Sequence, residues 1–73
     1  MREPEVLAIK SMIVELEGMS RRLMYMADTL NFMGMEGFSE DIAEILKRVE
    51  RVKNELEDYL LRAIAEELLK AKG

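Results

Sequence analysis

The side chains here that can hold a ligand or move a proton are almost all carboxylates and cations, 15 acidic and 11 basic in a chain of 73 residues. Histidine, cysteine, tryptophan and glutamine are absent. That removes the usual transition-metal ligands, the commonest proton shuttle at neutral pH and any disulfide. Glu40 with Glu44, and Glu50 with Glu57, share helical faces and are the best-spaced carboxylate pairs for a hard cation. Di-iron bundles, however, combine an inward glutamate on each helix with Glu-x-x-His pairs, and no histidine exists to complete them. No catalytic, cofactor-binding or metal-ligating residue is assigned, and the expectation is a protein that is not an enzyme. Among the cations, Arg21 and Arg22 fall at the same height as Lys47, Arg48, Arg51 and Lys53 if the chain folds back on itself. Such a belt suits a phosphate backbone, which makes an RNA-binding helical bundle one alternative. Asp28, Glu44, Glu50 and Glu55 interleave with it and the net charge is -4, a pattern that belongs to a mixed solvated surface, so nucleic acid is not the expected partner.

The elements that must position these groups are helices. Only three features punctuate the chain: Pro4, the segment from Gly34 to Ser39, and Gly73. Proline is tolerated in a first helical turn, and Glu3 and Glu5 suit the positive end of the helix dipole. Gly34 can adopt the left-handed conformation that closes a helix, and Ser39 can cap the next one, with Glu40 and Asp41 in its first turn. Lys70 and Lys72 suit the negative end of that helix. This predicts one all-α domain over residues 1–73, a long antiparallel helical hairpin with helices over about 4–33 and 40–71. The alternative is a three-helix bundle in which Gly18 stops the first helix and Ser20 caps the next.

Heptad spacing runs the length of both helices. Ile9, Leu16, Leu23 and Leu30 recur every seven residues, and Met12, Met19, Met26 and Met33 follow three residues behind them. In the second helix Ile42, Val49, Leu56 and Ala63 form one row, and Ile45, Val52 and Tyr59 another until Glu66 ends it. Taken as the a and d rows of an antiparallel pair, these predict partners whose numbers add to 75, including Met33 with Ile42, Leu23 with Val52 and Leu16 with Tyr59. Glu15 with Arg62 and Arg22 with Glu55 then flank the seam with opposite charges.

One seam does not cover all the apolar surface. Val6, Ile13, Val14, Ala27, Leu46, Leu60, Leu61, Ile64 and Leu68 remain beside it and are the expected association surface, with Leu7 and Leu69 extending it. Fully burying a large aliphatic side chain stabilises by about 1.5–3 kcal/mol, so a second copy is the expected cover. Two hairpins would form a four-helix bundle, with Ser20 and Lys53 as a polar layer. Met24, Tyr25, Phe32, Met35 and Phe38 form a further apolar cluster near the turn.

The segment Met19-Ser20-Arg21-Arg22-Leu23-Met24-Tyr25-Met26-Ala27-Asp28-Thr29-Leu30-Asn31 resembles the BH3 motif of the Bcl-2 apoptosis regulators. Met19, Leu23, Met26 and Leu30 match its four apolar anchors, Ala27 its small residue, Asp28 its acid and Asn31 its trailing amide, while Met24 stands where a basic residue is usual. The resemblance covers 13 of 73 residues. It implies a helical ligand for a hydrophobic groove, with Asp28 pairing to an arginine at the rim.

Hydrophobic residues at 49% and charged residues at 36% exclude a disordered tail. No long uncharged apolar run and no export signal is present, so a soluble cytoplasmic protein is expected, without membrane contact. Abundant Glu, Lys and Arg fits a thermophilic or a designed origin. The leading functional expectation is a non-enzymatic interaction or scaffold module that needs no cofactor, pairs as a homodimer and can bind another helical protein.

Overall fold

The computed structural model describes residues 2–72, so Gly73 and the Lys72 side chain lie outside what can be compared. The described residues form two helices, α1 (Glu3–Phe32) and α2 (Glu36–Lys72), folded back into a rod of 59 × 16 × 11 Å. Pro4 sits in the first turn of α1, where the N–H it lacks has no helical acceptor. Glu3 and Glu5 share that turn.

Gly34 closes α1 as its position suggests. Its φ of +80° puts it in the left-handed region. The Met35 N–H donates to the Leu30 carbonyl at 2.9 Å and the Gly34 N–H to Asn31 at 3.0 Å. Those two bonds are the Schellman pattern, which satisfies carbonyls that the end of a helix leaves open. Its tightness has a consequence: only residues 33–35 separate the helices, so α2 begins at Glu36 and not near residue 40. Ser39 is therefore not a cap. It lies inside the first turn of α2 and its hydroxyl donates to the Ala27 carbonyl at 2.8 Å, tying the second helix to the first across the turn.

The three-helix alternative is overturned, because α1 runs without interruption through Gly18. An interior glycine costs about 1 kcal/mol against alanine, which apolar rows that keep phase on both sides can absorb.

The seam differs from the a/d reading. Ile13 and Leu23 on α1 and Leu60 on α2 are buried, with Ser20 beside them, while Val6, Ile9, Leu16, Ala27, Leu30, Ile42, Leu46, Val49, Leu56 and Ala63 are half-buried. Met12, Met19, Met26 and Met33, expected in the seam, are exposed, and so are Ile45, Val52 and Tyr59. The packed rows are Val6-Ile13-Ser20-Ala27 and Ile9-Leu16-Leu23-Leu30 on α1. They face Ser39-Leu46-Lys53-Leu60 and Ile42-Val49-Leu56-Ala63 on α2. α1 thus carries three adjacent apolar rows broken only at Ser20, and α2 two apolar rows beside a third that Ser39 and Lys53 interrupt; the rows that meet include small residues, Ser20 and Ala27 on α1 and Ala63 on α2, which let the helices approach closely. The residues facing each other shift accordingly. Glu17 faces Lys53 and Glu50 faces Ser20, pairs whose numbers add to 70 and not 75.

Candidate functional site

Ser20 marks the middle of the seam and is the one polar residue among the described residues classed as buried. Its hydroxyl has no hydrogen-bond partner. The Glu50 carboxylate approaches it from α2, close enough for electrostatic attraction without hydrogen-bond geometry. That hydroxyl is the largest influence holding Glu50 below the usual carboxylate range, and Lys53 adds to it. Lys53 Nζ lies 3.2 Å from Glu50 and 4.0 Å from Glu57, with its side chain only 18% exposed. Its own pKa is raised, first by the hydrogen bond to Glu50 and then by attraction from Glu50, Glu57 and Glu17. The polar layer expected from Ser20 and Lys53 is therefore present inside a single hairpin.

That layer makes the two flanks of the rod unlike. One flank carries Glu17, Glu50, Lys53 and Glu57 across its centre. Nearer the open end it becomes a shallow apolar groove lined by Lys10, Ile13, Val14, Glu57, Leu60 and Leu61. The other flank has no charged residue over four successive members of each row: Met12, Met19, Met26 and Met33 on α1 run beside Phe38, Ile45, Val52 and Tyr59 on α2, all exposed. Glu5 and Glu66 continue these two rows at the open end. We refer to this strip as the methionine face.

The expected association residues divide between the hairpin's interior and its surface. Ile13 and Leu60 are buried and Val6, Ala27, Leu46 and Ile64 half-buried against the other helix of the same chain. Val14, Leu61 and Leu68 are exposed. Of the BH3-like set, Leu23 is buried, Ala27 and Leu30 are half-buried, and Met19, Met26, Asp28 and Asn31 are exposed. The four anchors thus straddle two faces, one of them closed by α2. In the turn cluster, Met24, Tyr25, Phe32, Met35 and Phe38 are all exposed and form no cap, and Phe38 belongs to the methionine face.

Half of the basic belt is engaged in ion pairs. Lys47 meets Glu44 at 3.5 Å, Arg51 meets Glu55 at 3.8 Å, and Lys53 is committed to the central layer. No group of three or more carboxylates among the described residues is placed to hold a metal ion. No helix of the described residues is long and apolar enough to cross a membrane. Comparison with family models, curated proteins and solved structures gives no match to this chain.

The periodicity of the methionine face was visible in the sequence, but its placement was not. Spacing identifies rows and cannot tell which two of three adjacent rows meet.

Proposed function

We propose that this chain is a non-enzymatic interaction module, a helical hairpin that pairs with a second copy through the methionine face to form a four-helix bundle, and so acts as a scaffold or small regulator. The observation that carries the reading is the outer apolar row on each helix. Two rows suffice for a two-helix seam, whereas a helix with two neighbours in a bundle needs a wider apolar face. The flank with Glu17, Glu50, Lys53 and Glu57 is a poor alternative, because docking there would desolvate those charges.

Surface area supports the same reading. A compact monomer of 8.5 kDa exposes about 4,700 Å², and this chain exposes 5951 Å². The excess, about 1,300 Å², is more than the roughly 800 Å² that each partner loses in a standard protein–protein interface. Methionine and aromatic side chains are also the types enriched in such interfaces.

Sedimentation equilibrium tests the proposal. The expected mass is twice 8.5 kDa, and Met19→Glu with Val52→Glu, both outside the seam, should give a helical species of single-chain mass. A parent protein that keeps single-chain mass at high micromolar concentration overturns the reading.

A further inference from the structure

Resting on the self-association proposed above, we infer that the second copy docks antiparallel, its turn over the open end of the first. The two-fold axis lies between the copies and crosses the rods at the level of Met19 and Val52. Two orientations lay one methionine face on another. A two-fold axis along the rods keeps both turns at the same end and sets α1 on the partner's α2. An axis across the rods puts the turns at opposite ends and sets α1 on α1 and α2 on α2.

The charged rows beside the face distinguish them. Three residues beyond members of the apolar rows stand Glu15 and Arg22 on α1, and Asp41, Arg48, Glu55 and Arg62 on α2. On α1 the signs reverse about the midpoint between residues 18 and 19. On α2 they reverse about the midpoint between residues 51 and 52, Arg48 mirroring Glu55 and Asp41 mirroring Arg62. Each helix is therefore charge-complementary to a reversed copy of itself. The folded hairpin adds the decisive condition. Ile13 with Glu57 and Lys10 with Leu60 line one groove between the helices, and both pairs straddle those two midpoints equally, as Ser20 and Glu50 do. The midpoints lie at one height, so a single axis serves both helices. Met19 and Val52, the least exposed residues of α1's and α2's rows on this face at 40% and 41%, sit on it.

The same-end arrangement fails on the same geometry. An axis along the rods preserves height, so the copies cannot slide to improve their contacts. Glu15 would be held opposite Glu55 and Arg22 opposite Arg48, like charge against like. The antiparallel arrangement has its own cost, which is to set Met33 beside Glu5 of the second copy and Phe38 beside its Glu66. Met33 and Phe38 are the most exposed members of the face.

Pulsed dipolar spectroscopy reads the orientation directly. The chain has no cysteine, and Phe32, at the turn and 93% exposed, lies off the methionine face, so a spin label on Phe32→Cys reports without entering the contact. Labels at opposite ends give a separation of about 40 Å, the rise of the roughly 27 helical residues that this axis sets between the two Phe32 positions. A separation under about 30 Å, the width of packed hairpins, means same-end docking and overturns the inference. No intermolecular coupling together with single-chain mass removes the self-association itself. Charge reversal provides a second readout. Glu15→Arg should raise the dimer dissociation constant several-fold and added Arg22→Glu should restore it, whereas same-end docking requires Glu15→Arg to tighten the dimer.

Discussion

Replacing Ser20 by alanine should stabilise this protein, against the usual direction of substitutions at buried positions. The Ser20 hydroxyl is enclosed by the seam and makes no hydrogen bond. A buried polar group left in that condition costs about 1–3 kcal/mol. Alanine keeps the Cβ, removes only the oxygen, and has a helix propensity better by about 0.5 kcal/mol. Against these gains stands the attraction the hydroxyl offers the Glu50 carboxylate, whose side chain is 40% exposed and so partly screened by water. The net expectation is a gain of about 1–2 kcal/mol, equivalent to a rise in melting temperature of roughly 4–16 °C for a domain of this size. Thermal unfolding followed by circular dichroism measures it, with both proteins at one concentration. The Glu50 titration supplies an internal control: without the hydroxyl its pKa should move back toward the ordinary glutamate value in an NMR titration. A loss of stability in Ser20→Ala would refute the reasoning, since it would mean that the hydroxyl is satisfied and holds the layer together.

Two glycines should respond in opposite ways to alanine. At Gly18 an added Cβ would meet only the flexible tips of Arg22 and Arg21, at 3.5 and 4.0 Å, so Gly18→Ala should raise stability by about 1 kcal/mol in urea denaturation. At Gly34 the space is open but φ is +80°, so Gly34→Ala should lower it by about 1–2 kcal/mol through backbone strain alone. Acid should weaken the hairpin through Glu50. Because its folded pKa is depressed, its contribution is complete above the ordinary carboxylate value and is lost as pH falls through the folded one. Lys53, with a raised pKa, loses its contribution only as pH climbs through its folded value. The urea midpoint should accordingly stay level near neutrality and fall on the acid side, and Glu50→Gln should flatten that fall.

The helices, the left-handed glycine and the apolar rows were legible because each depends on neighbours in sequence. Pro4, Gly34 and seven-residue spacing act within one or two turns. Which rows meet is a tertiary choice. On α1 the Ile9 row has the Val6 row on one side and the Met12 row on the other, and both are apolar enough to join it. Heptad spacing pairs the Ile9 row with the Met12 row as a with d, and nothing in the spacing itself excludes the Val6 row. Tight closure at Gly34, the Ser39 bond to Ala27 and the small Ser20 and Ala27 side chains favour the opposite pairing. The complementary charges met the same fate. Glu15, Arg22, Glu55 and Arg62 were read as flanks of the hairpin, and the rotated seam moves them outward beside the methionine face.

That rotation gives the seven-residue spacing of the outer row a different meaning. A straight α-helix drifts about 20° per heptad against a strict seven-residue repeat. A row held at seven from Met12 to Met33 therefore keeps facing one direction only if it follows something that runs along the helix. Inside the hairpin the packed rows follow α2 and carry the Met12 row round with them, so what that row adds is its unbroken apolar content. The row from Phe38 to Tyr59 is in the same position on the other helix. A compact partner touching one point of the rod would require apolar residues over a turn or two, not over three heptads on both helices. Matched rows of this length fit the rod-shaped partner proposed above, since a second hairpin would present the same two rows at the same spacing.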